Sequence, residues 1–180
     1  VKLHDRRPGH RHKDYNFYFE GGIKSYIKNL NRNNQVKNKT IFYAEKEINN
    51  VKVELALQYN DGYNEIILAF ANNIINTEGG THLIGFRSAL TRVLNNYARS
   101  KGLLKDKEEN LTGDDVREGL VAIISVKLTN PQFEGQTKSK LGNAEVKGYV
   151  EQVCSETLGA FLEEHPKDAE QIINKCLLSA

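Results

Sequence analysis

With 180 residues, 39% hydrophobic and 27% charged, the chain is long and apolar enough to bury one globular core with or without an appended arm, which excludes a disordered chain. A net charge of only +2 excludes a wholesale basic binder of nucleic acid, so any such contact has to come from local patches. No apolar run approaches the roughly 20 residues of a membrane span, and the N-terminus has no secretory apolar region.

Residues 1–14 are dense in Lys, Arg and His and read as an arm or as the end of a preceding domain. His4, His10 and His12 lack a paired helical spacing or a cysteine partner, so a solvated basic arm is expected there and not a metal site. With no methionine in the chain, Val1 is expected to begin a piece of a longer protein.

Tyr15 to Phe19 alternates aromatic and polar residues as a strand does, and Gly21-Gly22 leads into Ile23, Ile27 and Leu30 at the spacing of a short helix. Thr40 to Ala44 reads as a strand. Val51, Val53, Leu55, Leu57 and Tyr59 alternate strictly with other residues, the pattern of a half-buried strand. Asn60-Asp61-Gly62 is a turn signal, so Glu65 to Ala71 is expected to return as the hairpin partner. A polar loop to Gly80 precedes a helix from Thr81 to Ser100, whose Leu83, Phe86, Leu90, Val93, Leu94 and Tyr97 share one sector with Arg92 and Arg99 opposite.

Thr112-Gly113-Asp114-Asp115 is the capped start of a short helix, an explanation that makes a metal role for Asp114 and Asp115 unnecessary. Leu120 to Leu128 is a buried strand, Val146 to Phe161 an apolar helical stripe, and His165-Pro166 a break before a last helix carrying Ile172, Ile173, Cys176 and Leu177. Cys154 and Cys176 fall on these helices without metal-ligand spacing, as reduced, partly buried thiols. The order of elements, strand, helix, three strands, helix, strand, helix, helix, predicts an α+β two-layer sandwich with C-terminal helices.

Between the buried strand and the stripe lies Phe133-Glu134-Gly135-Gln136-Thr137-Lys138-Ser139-Lys140-Leu141-Gly142-Asn143. Pro131 ends the strand, two glycines loosen the backbone, and Asn143 is placed to cap the next helix, whose free N–H groups and dipole favour an anion near Lys138 and Lys140. Taken alone the stretch reads either as a phosphate site or as a solvated connector, since it has no Walker-type spacing.

This stretch resembles the loop bearing the Gln-Thr-Lys motif in the DNA gyrase B and topoisomerase IV ATPase subunits. Tyr18-Phe19-Glu20-Gly21-Gly22-Ile23, Leu57 to Tyr63, Glu78 to Arg92 and Thr112 to Leu120 agree with the same family in the same order. The resemblance implies the transducer domain of a type IIA topoisomerase B subunit, at residues 15–165 with 166–180 leading toward the DNA-cleavage core. It also implies a ribosomal-protein-S5 domain-2-like fold with a left-handed crossover.

In such a protein Lys138 and Gln136 reach the γ-phosphate of ATP held with Mg2+ by the preceding ATPase domain. Arg87, Arg92 and Arg99 are candidates for contact with double-stranded DNA, Arg87 first because it stands in the matching Gly-Phe-Arg stretch. The implied partners are a second B subunit and two A subunits, in a bacterial cytoplasm or a plastid-type organelle. Lacking the acidic base and glycine-rich lid of the ATPase domain, the fragment is expected to be inactive alone and to carry no metal of its own. His82, beside Gly79-Gly80, is expected to be a capping or turn residue. Rival readings are a stand-alone RNA-binding module of the same fold and a small-molecule kinase, the latter requiring a phosphate loop that the sequence lacks.

Overall fold

The structure, a computed structural model, describes residues 1–9, 13–16, 18–105 and 107–180. His10, His12 and the Phe17 portion of the expected first strand lie outside the described residues. The strand in this region, β2 (Lys13–Asn16), is earlier than expected and pairs antiparallel with β1 (Lys2–Asp5). Tyr18 and Phe19 follow it as exposed coil. Every residue of β2 is exposed, so the strand has no buried face.

The core is a five-stranded sheet in the order β3 (Phe42–Ile48), β4 (Val51–Tyr59), β8 (Leu120–Lys127), β5 (Ile66–Ala71) and β6 (Ile74–Ile75). The expected hairpin between residues 51–59 and 65–71 is corrected by this order. The hairpin partner of β4 is β3, with Ile48 opposite Val51, and β8 takes its other edge. The physical reason is the pair Asn49-Asn50, both at positive φ (50° and 62°), which closes a tight two-residue turn of the hand that hairpins favour. Asn60 instead leads the chain away from β4, its Oδ1 accepting the Gly62 N–H at 2.8 Å. β5 then runs parallel to β8, and a second positive-φ pair, Asn72-Asn73, turns it into β6.

The helix α2 (Thr81–Ser100) joins β5 and β6 to β8, and α3 (Ala144–Glu164) and α4 (Pro166–Leu177) follow, the break at His165 as expected. Alternation along β4 and β8 divides the core in two. Val53, Leu55, Leu57, Ala122, Ile124 and Val126 face α2 and α3, while Ala56, Val121 and Ile123 face Ile27 of α1 (Gly22–Leu30). The expected two layers thus have a one-helix counterpart on the sheet's other face. Within the expected stripe of α3, Leu158 is buried and Thr157 only half-buried.

Gly85 sets the closeness of the α2–α3 crossing, because a Cβ there would overlap the backbone of Lys147. Both cysteines are free and fully buried, which goes beyond the partial burial expected and pushes the Cys154 thiol up to about 12. Near the edge of the sheet a buried amide network, Asn60 to Asn31 (2.9 Å), Asn31 to Gln58 (3.0 Å) and Gln58 to the Asn38 carbonyl (3.0 Å), satisfies polar groups that periodicity does not reveal.

Candidate functional site

After β8 the chain does not pass straight into α3. It forms a small antiparallel hairpin of β9 (Phe133–Glu134) and β10 (Lys140–Leu141), with residues 135–139 as its tip. β10 also pairs in parallel with β7 (Gly79–Gly80), the segment immediately before α2. The contact needs glycine at position 80, where φ is +132° and a Cβ would overlap the Leu141 backbone.

The tip exposes Gln136 and Lys138. The Gln136 amide makes no hydrogen bond to a described residue, and the Lys138 ammonium lies 5.9 Å from the Phe133 ring centroid, a weak cation–π contact. Lys138 itself sits at φ +56°. A lysine there costs on the order of 1–2 kcal/mol relative to ordinary backbone, so neighbours have to hold it. They are identifiable: the Lys138 N–H reaches the Gly135 carbonyl at 3.4 Å, Glu78 N–H donates to the Ser139 carbonyl at 2.9 Å, and Asn76 Nδ2 donates to the Lys138 carbonyl at 2.8 Å.

Lys140, grouped with Lys138 by the sequence, is instead paired with Glu134 at 3.0 Å across the hairpin. Asn143 does precede α3 but does not cap it with its side chain. Its Oδ1 accepts the Gln132 N–H at 2.7 Å and its Nδ2 donates to Asn130 and Glu145, so it closes the base of the loop. The helix N-terminus already carries Glu145 in its first turn, whose carboxyl is held below its ordinary range by the adjacent backbone and Asn143 hydrogen bonds.

His82 is likewise not a cap. Its ring is wholly buried, neither nitrogen has a hydrogen-bond partner among the described residues, and burial lowers its pKa to about 4. The helix expected after Thr112 is a single 3-10 turn, Asp115–Arg117, with no side-chain cap; Asp115 instead accepts both the Thr112 N–H and hydroxyl at 2.6 Å. Asp114 is paired with Arg117.

The three arginines of α2 differ. Arg87 Nη2 meets Glu65 Oε1 at 2.7 Å, while the other Glu65 oxygen meets Arg117 Nε at 2.8 Å. Arg92 is exposed and donates to Ser155 of α3 at 2.9 Å. Arg99 fastens the following loop, donating to Asn110 Oδ1 (2.8 Å) and to the carbonyls of Lys105 (3.0 Å) and Glu108 (2.8 Å). They do not form one cluster: Arg92 and Arg99 share a side of the helix and Arg87 lies well round from them. Sequence reasoning missed Asn76 and Glu65, for neither stands in an apolar period; their partners are remote in the chain.

The arrangement is a mixed sheet with helices on both faces, carrying an exposed Gln/Lys hairpin tip anchored to the start of its long helix. Comparison with known proteins supplies the family. A family model described as DNA gyrase B matches residues 22–180, and the chain belongs to that family. It is 53% identical to the DNA gyrase B protein of Clostridium acetobutylicum over 181 residues, covering all of this chain and 28% of the relative. It is 51% identical to the corresponding protein of Streptococcus pneumoniae, with the same shares. The chain thus spans little more than a quarter of the length of these relatives.

Among solved structures it is similar to the 43K ATPase domain of Thermus thermophilus gyrase B in complex with an aminocoumarin, at 41% identity and TM-score 0.85, covering 96% of this chain and 46% of that one. The topoisomerase IV ATP-binding domain of Francisella tularensis aligns at 26% identity and TM-score 0.77, covering 93% and 45%. Both neighbours are named for ATP-binding regions and not for a transducer domain, and this chain matches just under half of each.

Proposed function

We propose that this chain is the transducer part of a type IIA topoisomerase B subunit, of the gyrase kind, and that Gln136 and Lys138 sense the γ-phosphate of ATP bound by the preceding domain. The carrying observation is the contrast in cation use. Lys140, Arg87 and Arg99 are engaged with acceptors of the chain itself, whereas the Lys138 ammonium and the Gln136 amide stand exposed on an anchored tip with no hydrogen-bonded acceptor among the described residues. That donor set fits a phosphate. ATP supplies a transferable phosphoryl group on which negative charge is stabilised by a positioned cation. This chain contributes the cation and the amide; Mg2+ is assigned to the ATPase domain.

While Lys138 and Gln136 are engaged, the tip ties this domain to its neighbour, and loss of the contact frees the pair to move. Because the tip is joined to both α2 and α3, the motion has a rigid path toward the C-terminal helices and, through residues 166–180, toward the cleavage core. We assign residues 15–165 to this transducer, with 1–14 as arm, and read β5–α2–β8 as the crossover of an S5 domain-2-like fold. Arg87 and Arg92 are proposed to meet the DNA backbone without reading sequence, Arg87 exchanging its Glu65 partner for a phosphate. The fastening role of Arg99 accounts for it without DNA.

The gyrase reading is preferred to topoisomerase IV because the relatives at about 50% identity are gyrase B proteins, against 26% for the topoisomerase IV neighbour. Partners are then a second B subunit, two A subunits and double-stranded DNA. The bacterial relatives support a bacterial cytoplasm over a plastid; among the described residues no helix is long and apolar enough to cross a membrane.

The test is ATP hydrolysis and ATP-dependent supercoiling by the full-length protein with its A partner, wild type against Lys138→Ala. A fall in both of about a hundredfold, with the melting temperature unchanged, is expected. Near wild-type rates would reduce the tip to a connector.

A further inference from the structure

Asn76 is 3% exposed, and its side chain makes one hydrogen bond among the described residues, from Nδ2 to the Lys138 carbonyl at 2.8 Å. Its Oδ1 is buried and has no partner among them. A buried amide with a bare oxygen is a costly way to fill space, since an apolar side chain of similar size avoids the desolvation. The cost points to what Nδ2 holds.

That group is the backbone of the one lysine among the described residues at positive φ, at the tip of the hairpin. The other restraints on the tip are main-chain bonds: the 3.4 Å turn bond to Gly135 and the Glu78 to Ser139 bond one residue further on. Asn76 is itself fixed at both main-chain groups, its N–H on the carbonyl of Ala69 within β5 (2.8 Å) and its carbonyl receiving the Gly79 N–H (2.9 Å). A continuous chain of contacts therefore runs from the central sheet through Asn76 to Lys138.

We propose that Asn76 is a positioning residue for ATP turnover, holding the Lys138 backbone in the left-handed conformation that aims the ammonium out of the tip. Without the bond to its carbonyl, Lys138 relaxes to negative φ, which redirects Cβ and carries the ammonium away from its target. A cation displaced by an ångström or more loses much of its effect on charge developing in the transition state. This rests on the reading of Lys138 as the γ-phosphate contact.

The experiment is steady-state ATP hydrolysis by the full-length protein with its A partner, comparing wild type, Asn76→Ala, Lys138→Ala and the double variant, with melting temperatures. Asn76→Ala is expected to lower kcat by about tenfold to a hundredfold with KM changed much less, and to add nothing to Lys138→Ala. A purely structural role would lower the active fraction equally in both backgrounds, and that result, or an unchanged kcat, overturns the proposal. Should Asn76→Ala fail to fold, Asn76→Asp keeps the size and removes the donor, and the same loss of kcat is required of it. Near wild-type turnover by Lys138→Ala would defeat the underlying reading. An impaired Lys138→Ala beside an unaffected Asn76→Ala would defeat only the role of Asn76.

Discussion

Strand β8 has seven of its eight residues buried, clasped by α2 and α3 on one face and α1 on the other, whereas the tip that follows it exposes Gln136, Thr137 and Lys138 and is fixed by a handful of hydrogen bonds. The strand is held by apolar burial, which is non-directional and spread over many contacts. The tip is held by directional bonds from single residues, each of which sets a conformation more than it adds stability. One region is fixed by many interchangeable contacts and the other by a few specific ones. Between them lies a junction, the β7–β10 pairing at Gly80 and Leu141, which ties the base of the tip to the start of α2.

The largest effect belongs to the strand. Ile124→Ala, at a wholly buried position, is expected to cost about 4 kcal/mol in chemical denaturation while leaving turnover per folded molecule unchanged. At the junction, Gly80→Ala forces a Cβ against the Leu141 backbone at a φ that suits only glycine, and should cost about 3 kcal/mol. If the tip has the proposed role, this variant, unlike the core one, should also depress ATP turnover by the full-length protein, because it displaces the base of the tip. A Gly80→Ala protein of normal turnover would show that tip and junction are uncoupled.

His82, beside that junction, adds a pH signature. Its pKa is about 4 in the fold against about 6.5 when unfolded, so below about 6.5 the unfolded chain binds the proton and the folded chain does not. The stability tied to its neutral ring is therefore complete above about pH 6.5 and declines as pH falls toward 4, by on the order of 2–3 kcal/mol. Melting temperatures across that window should fall in the wild type and be flatter in His82→Leu.

The smallest effect is at the tip. Lys138→Gly relieves the positive φ and should raise stability by less than about 1 kcal/mol while removing the ammonium, so that stability and turnover move in opposite directions. If Lys138→Gly were instead destabilising, the tip would be packed like the core and the contrast between the regions would fail.

Much of the scaffold was legible in the chain. The helical periods from Thr81 and Ala144 record which faces are buried, whereas the alternation from Val51 to Tyr59 records one buried face and misses the burial of Ala56 and Gln58 on the other, the face that α1 covers. The pairing of β4 was not legible, because the strong Asn60-Asp61-Gly62 turn signal concealed the Asn49-Asn50 pair that makes the hairpin. At the candidate site, Gln136 and Lys138 were recognisable from their motif. Asn76 was not, since its place beneath Lys138 comes from a fold that brings residues 76 and 138 together.

The sequence by itself determined the α+β class, the long helices, the buried strand and, through its motifs, membership of the gyrase B family. Only the tertiary structure decided that β8 sits between β4 and β5, that Arg99 fastens its own loop, that Lys140 is neutralised by Glu134, and that Lys138 stands exposed at positive φ over a buried amide. The division has one physical cause. Hydrophobic period and turn chemistry act over a few residues and are readable locally, whereas strand partners and side-chain acceptors are chosen among groups far apart in the chain, by whichever arrangement buries the apolar faces and still satisfies the polar groups.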